Sequence, residues 1–316
     1  MADKTVRGRF VWHELMTPDP KAAAEFYKDI VGWTPQPYDK DPSYTLFTSG
    51  GRPRAGSTLL PEQAKAMGAP PHWLSHIGTP NVDVTARQTI ELGGKVLKPA
   101  ADIPEIGRVA ILQDPQGAVF AVFTPNPGAG PAGDGKPGLG DFSWHELVTT
   151  DWKAAWNFYQ TLFGWEKLDS MEMGPGNTYQ MFGWKGNMLG GMFNKPAEMP
   201  AAPHWLPYAL VPDSKKVAAI VPQVGGKVLN GPMEVPGGDW ITQVMDPQGA
   251  AFAVHSKKAS TAEKSKPAKR KTAPAKAAKK TAAKQTTKKT AKKAAKKKTA
   301  KKTARPKPRK AARRRR

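Results

Sequence analysis

Cysteine is absent from this 316-residue chain. That excludes disulfides, a thiolate metal centre and a cysteine nucleophile. Long apolar runs are absent too, none approaching the ~20 residues needed to cross a bilayer. The first ten residues are polar and hold no apolar segment, so no signal peptide is expected there. These absences lead to the expectation of a cytoplasmic protein. Acidic residues are almost missing from the C-terminal stretch. Residues 257–316 carry 28 Lys or Arg and one acid, Glu263, a net of +27. The remaining 21 basic and 25 acidic residues give residues 1–256 a net of −4. The same stretch has no Val, Leu, Ile, Met, Phe, Trp or Tyr, so it cannot bury a core and is expected to be disordered on its own.

What the rest of the chain contains is a repeat. Trp12-His13-Glu14-Leu15, Asp19, Phe26-Tyr27 and Gly32-Trp33 recur as Trp144-His145-Glu146-Leu147, Asp151, Phe158-Tyr159 and Gly164-Trp165, 132 residues later. The same offset carries Pro71-His72-Trp73-Leu74 onto Pro203-His204-Trp205-Leu206, and Gly93-Gly94-Lys95-Val96-Leu97 onto Gly225-Gly226-Lys227-Val228-Leu229. It also carries Asp114-Pro115-Gln116-Gly117-Ala118 onto Asp246-Pro247-Gln248-Gly249-Ala250. Four matches at one offset mark a tandem duplication whose period is too long for a solenoid and long enough for a domain. The reading is two domains, 8–125 and 142–256, a Gly/Pro-rich linker at 126–141, and the basic tail at 257–316. The two domains either pack through apolar surface or stay independent on the linker.

Each domain reads as two β-α-β-β-β modules. Phe10–Met16 is a strand. Asp19 can cap a helix with Pro20 in its first turn. Phe26, Tyr27, Ile30 and Val31 give that helix one apolar stripe, and Gly32 ends it. Strand-like segments follow at 33–38, 43–48 and 54–60, separated by Asp41-Pro42 and Gly50-Gly51. The order repeats from His72, with a helix capped by Asn81 or Asp83 and stopped by Gly93-Gly94. Asp114-Pro115-Gln116-Gly117 has the signature of a type I turn between the last two strands. Pro222 is expected to end or kink the matching helix of the second copy.

Paired βαβββ modules with the FY…GW helix ending and the DPQG turn resemble the vicinal oxygen chelate superfamily, which includes glyoxalase I, bleomycin-resistance proteins and extradiol dioxygenases. Tandem glyoxalase-like proteins are the nearest likeness, over roughly residues 8–256. The resemblance implies an α+β fold of two tandem vicinal-oxygen-chelate domains, each with an open cleft. It also implies a divalent metal in that cleft, held by His or carboxylate ligands. The family's ligand positions fall here on Trp12, Leu74 and Ala121, and on Trp144, Leu206 and Ala253. The stretches 54–60, 118–123, 188–195 and 250–255 hold no Asp or Glu. No cofactor is therefore expected, with a divalent metal only in an unorthodox arrangement.

Strand alternation sets Glu14, His72 and His76 on one face of the first domain, and Glu146, His204 and Tyr208 on one face of the second, with His255 beside Ala253. A Glu and two His facing one cavity could act as acid–base pairs. The alternative is that the Glu side chains bond backbone or the neighbouring Trp, and that His72 and His204 are solvated at strand starts. His13 and His145 face the helix layer and are read as packing residues. Most of the ten tryptophans are expected in cores or between modules; some could line a flat apolar ligand pocket.

The tail resembles the C-terminal regions of linker histones and lysine-rich bacterial nucleoid proteins. Such a density of Lys and Arg neutralises phosphates and releases counterions. Candidate contacts are Lys269, Arg270, Lys279, Lys280, Lys292, Lys293, Lys296, Lys297, Lys298, Arg313, Arg314, Arg315 and Arg316. No aromatic residue is present there for base stacking. Three functions stay open: a small-molecule-binding glyoxalase-like pair tethered to DNA or another polyanion, a lyase or oxygenase with an unorthodox site, and a nucleoid-associated protein whose folded part is a scaffold.

Overall fold

Asp19 and Gly32 fix the limits of the first helix, and the rest of each module follows from where that helix lies. The computed structural model describes residues 6–127, 136–174 and 177–258. After β1 (Phe10–Thr17), the Asp19 carboxylate accepts from the backbone N–H groups of Lys21 and Ala22 and opens α1 (Pro20–Val31). Gly32 closes it at φ 83°, a left-handed conformation that a side chain would resist. Then come β2 (Thr34–Tyr38), β3 (Asp41–Ser49), β4 (Arg52–Leu59) and a short α2 (Glu62–Ala66) that the sequence reading lacks. Asp41-Pro42 turns out to start β3 rather than separate it from β2. The second module is β5 (His72–Gly78), α3 (Val82–Glu91, capped by Asn81), β6 (Lys95–Ile103), β7 (Gly107–Gln113) and β8 (Val119–Pro125).

The second repeat runs β9 (Phe142–Thr149), α4 (Trp152–Phe163), β10 (Glu166–Glu172), β11 (Thr178–Trp184) and β12 (Asn187–Asn194). It continues as β13 (His204–Leu210), α5 (Ser214–Ile220), β14 (Lys227–Glu234), β15 (Trp240–Met245) and β16 (Ala251–Ser256). Pro222 sits in a 3-10 turn, Val221–Val224, directly after α5, so the helix ends where the proline requires. Each repeat makes one eight-stranded sheet, in the orders β2-β3-β4-β1-β5-β8-β7-β6 and β10-β11-β12-β9-β13-β16-β15-β14. At the centre of each, the first strands of the two modules pair antiparallel, Glu14 opposite Leu74 and Glu146 opposite Leu206.

The two sheets do not have separate cores. The stripe of α1 (Phe26, Tyr27, Ile30) packs with Trp33 and Trp73 of its own repeat and with Val244, Phe252 and Val254 of the other. Reciprocally, Phe158, Tyr159 and Leu162 of α4 pack with Leu112, Phe120 and Val122 of the first repeat. Fully burying one such side chain stabilises by about 1.5–3 kcal/mol. A dozen shared between repeats outweigh any preference for separation, so both repeats fall in one compact unit.

The repeated motifs supply the polar contacts of this interface. The Tyr27 hydroxyl donates to Asp246 Oδ2 at 3.1 Å and accepts from Trp73 Nε1 at 2.8 Å. Tyr159 donates to Asp114 Oδ2 at 3.0 Å and accepts from Trp205 Nε1, also at 3.0 Å. Asp114 and Asp246 are the first residues of the DPQG turns, and each also accepts from turn backbone N–H groups. Trp33 donates to the Gly140 carbonyl and Trp165 to that of Gly8. At the centre, His13 and His145 meet Nε2 to Nε2 at 2.9 Å, with Phe142 stacked on the first ring and Phe10 on the second.

The linker also departs from expectation at its end. Residues 138–141, read as part of a flexible connector, are held in place: Gly140 N–H donates to Leu210 O, the Leu139 carbonyl accepts from Ser49, and Asp141 pairs with Arg54. Residues 128–135 lie outside the described residues, as do all the tail positions given above as nucleic-acid contacts.

Candidate functional site

Cross-strand pairing fixes which residues share the sheet face turned away from the long helices. On the first sheet this face carries Met16, Leu74 and Ala121, with Val109, Ile111 and Val119 beside them and Leu60 and Ala64 packed against them. Glu14, opposite Leu74, and His76, opposite Trp12, lie on it. On the second sheet the same face carries Leu206, Tyr208, Ala253 and Trp144, continuing into Tyr179, Phe193, Met171, Met181 and Met199. This is the face that the family resemblance makes the cleft.

Both clefts share one motif that the 132-residue offset hides. Trp12 Nε1 donates to the Tyr44 hydroxyl at 2.9 Å, and Tyr44 bonds Glu14. Trp144 Nε1 donates to Tyr179 at 2.7 Å, and Tyr179 donates to Glu146 Oε2 at 3.1 Å. The tyrosine ring lies over a glycine of the neighbouring strand, Gly56 or Gly191, where any Cβ would collide with it. Those glycines pair with Glu14 and Glu146 in the ladder. Glycine inside a strand signals a close approach, and that signal was legible. The tyrosines are displaced by 135 residues rather than 132, so the repeat did not flag them.

Beyond the shared Trp–Tyr–Glu motif the clefts diverge. Glu146 also accepts from Tyr208 at 3.0 Å and from Gln243 at 3.1 Å, both on Oε1, while Gln243 donates to the Tyr208 oxygen at 2.6 Å. Glu146 and Tyr208 are buried. Burial raises the Glu146 pKa, opposed by its three donors. In the first cleft the positions of Tyr208 and Gln243 are taken by His76 and Ile111. Glu14 is half-buried, its pKa also raised by burial, with Tyr44 and the nearby Lys98 charge opposing. His76 is buried, its Nε2 has no partner, and desolvation lowers its pKa to about 4. It is therefore neutral near pH 7. The sheet's other orphaned hydroxyls, on Thr17, Ser57 and Ser75, lie on the helix face.

The remaining candidates do not join these groups. His72 and His204 bond the carbonyls of Pro70 and Ala202 through Nδ1, at the strand starts, and hydrogen-bond neither glutamate. Burial lowers both pKa values. His255 turns to Ser143 (Nδ1 to Oγ, 2.9 Å) and to Asp239 (Nε2 to Oδ2, 2.9 Å), not to Glu146. His13 and His145, read as packing residues, pair with each other between the sheets. Sequence reasoning missed Tyr44, Tyr179 and Gln243; for Gln243 no signal existed, since its repeat partner is Ile111.

The donor set does not fit a divalent cation. Such an ion needs three or more His or carboxylate ligands converging with open positions. Each cleft offers one carboxylate, a tyrosine ring fills the space over the fourth strand, and the expected ligand positions carry Trp, Leu and Ala. Among the described residues no three His, Asp or Glu side chains converge. Two grooves lie elsewhere, one of about 520 Å³ beside Pro18 and Pro37 and one of about 200 Å³ beside Arg7 and Asn81. Neither contains an unpartnered buried polar atom.

Residues 12–123 match the model of a family described as a glyoxalase-like domain. A candidate glyoxylase of Mycobacterium tuberculosis (strain CDC 1551 / Oshkosh), CFP32, is 32% identical over 250 residues, covering 77% of this chain and 92% of that protein. The anthracycline biosynthesis protein DauV of Streptomyces sp. (strain C5) is 29% identical over 266 residues, covering 78% and 92%. The Mn(II)-bound glyoxalase of Novosphingobium aromaticivorans superposes with a TM-score of 0.52 at 16% identity, over 79% of this chain and 82% of that one. At that identity the likeness is one of fold.

Proposed function

The chain belongs to the glyoxalase-like family of the vicinal oxygen chelate superfamily, and from that premise we propose that it binds a small organic molecule in the cleft of its first repeat while its basic tail holds it on DNA. One observation carries the cleft assignment. Glu14 accepts from Tyr44 alone and His76 Nε2 is buried without a partner, whereas the equivalent groups of the second cleft satisfy each other. An unpartnered buried polar atom destabilises by about 1–3 kcal/mol, and a ligand that bonds it recovers that loss. The walls, Trp12 and Tyr44 with the partly buried Val109 and Ile111, suit a flat apolar body.

Glu14 also supports a second reading, a lyase in which it moves a proton. Its pKa is raised by burial toward the range of a working acid–base group. No step of that reading runs through a metal.

The tail reading rests on charge. The folded part at −4 repels a polyanion weakly and the tail at +27 attracts it strongly. Lysine–phosphate contacts read no bases, so binding is independent of sequence. With about ten phosphates neutralised, affinity falls with a log–log salt slope near −9. The test compares the full chain with residues 1–258 in two assays, titration on two unrelated duplexes at several salt concentrations and a ligand thermal-shift screen. Removing the tail abolishes DNA binding and leaves the ligand-induced rise in melting temperature. Retained DNA affinity in the truncated protein overturns the tethering. A ligand response unchanged both in Glu14→Gln and in the pair His76→Tyr with Ile111→Gln overturns the cleft assignment.

A further inference from the structure

The repeat supplies its own picture of what the first cleft would hold. Offset by 132 residues, His76 stands where the second cleft has Tyr208, and Ile111 where it has Gln243; the Trp–Tyr–Glu wall is otherwise the same in both. In the second cleft the protein fills the space itself. The Tyr208 phenol donates to Glu146 Oε1 at 3.0 Å and accepts from Gln243 at 2.6 Å. Across its ring a phenol hydroxyl reaches about 2 Å further from Cβ than an imidazole Nε2 does, given ordinary bond lengths. His76 therefore stops short of Glu14, and no hydrogen bond joins the two.

Resting on the reading of the first cleft as the ligand site, we infer that its ligand presents a phenolic or enolic hydroxyl to Glu14, at the place the Tyr208 hydroxyl takes against Glu146. Charge selects among the groups that could fill it. A carboxylate is repelled by Glu14. An ammonium is disfavoured because Lys98 already lies close enough to act on Glu14 electrostatically. A neutral hydroxyl donates to the carboxylate without adding charge, and a hydroxyl on an aromatic ring donates more strongly than an aliphatic one. The ring has matching walls in Trp12 and Tyr44 and an apolar floor in the partly buried Ile111 and Val109. His76 Nε2 remains as a second polar partner on the same face, able to donate or accept according to its tautomer. In these terms the second cleft is already occupied, and the full chain binds one ligand.

The test is a titration of the full chain with 2-naphthol, naphthalene and 2-naphthylmethylammonium. One 2-naphthol binds per chain, at least tenfold more tightly than either of the others. Glu14→Gln removes that preference and leaves naphthalene unchanged. The pair His76→Tyr and Ile111→Gln converts the first cleft to the pattern of the second and abolishes binding, and its melting temperature shows whether it folds. The reverse pair, Tyr208→His and Gln243→Ile, opens the second cleft and raises the stoichiometry to two. Glu14-dependent binding that favours the ammonium, or that ignores the hydroxyl, overturns the ligand class and leaves the cleft assignment standing. Binding of none of the probes, or binding that survives both Glu14→Gln and the converted first cleft, overturns both.

Discussion

The first cleft leaves its glutamate with one donor and a histidine with none; the second surrounds the matching glutamate with three donors and buries it. Two substitutions, His76 for Tyr208 and Ile111 for Gln243, account for the difference on an otherwise common wall. A duplicated fold thus presents the same polar group in two states, one satisfied from within the protein and one open to a partner from outside. Finding a glutamate and a histidine on one face says little until the partners of each are counted.

The comparison breaks most completely if the repeats are parted. Each long first helix covers the other repeat's sheet, so residues 6–127 alone expose half of a shared core. That fragment is expected to lack cooperative urea unfolding and to regain it when mixed with residues 136–258. Independent cooperative unfolding of the fragment contradicts the shared core.

A smaller effect separates the clefts directly. In Glu146→Gln the new amide N–H meets donors where the carboxylate accepted, which costs about 2 kcal/mol. Glu14→Gln, with one donor to disappoint, costs under about 1 kcal/mol by the same reasoning. Urea midpoints of the two variants check the ordering, and equal losses would mean the clefts are alike.

At the interface the repeats are expected to be equivalent. Tyr27→Phe orphans Asp246 Oδ2 and Trp73 Nε1, and Tyr159→Phe orphans Asp114 Oδ2 and Trp205 Nε1. Each loses about 1.5 kcal/mol, and a twofold disparity in chemical-denaturation experiments would show that one half bears more of the contact.

A comparably small effect is one of pH. His76 is neutral in the fold, with a pKa of about 4, against 6.5 when unfolded. The unfolded chain takes up the proton first, so stability falls as pH drops below 6.5 and levels off near 4. Glu14, Glu146, Asp114 and Asp246 have raised values and act in the opposite sense at low pH. The difference between wild type and His76→Leu isolates the histidine. The variant is expected to lose about 1 kcal/mol less than wild type between pH 7 and 5.5, measured by urea unfolding at each pH. Parallel losses would place a partner on His76.

The sheets and their faces were legible because periodicity reports which side of a strand is buried: Glu14, Leu74 and His76 share a face as alternation requires. Periodicity does not report what does the burying. The stripe Phe26-Tyr27-Ile30 reads equally well as packing on its own sheet or on another, so periodicity leaves a shared core as one of two possibilities. Tyr44 and Tyr179 were missed because three inserted residues shift them off the repeat. The linker read as flexible from its Gly and Pro content, yet Gly140 offers a backbone carbonyl to Trp33, a contact that composition cannot express.

The histidine pair between the sheets carries a consequence for symmetry. Two Nε2 atoms at 2.9 Å can hold one hydrogen between them, so the rings cannot be in the same state. His145 Nδ1 faces the Leu189 carbonyl at 3.0 Å and must carry its proton there, which leaves its Nε2 to accept and obliges His13 to donate. The duplicated halves are therefore inequivalent where they meet by the place of a single hydrogen, and a backbone oxygen in one half makes the choice for both.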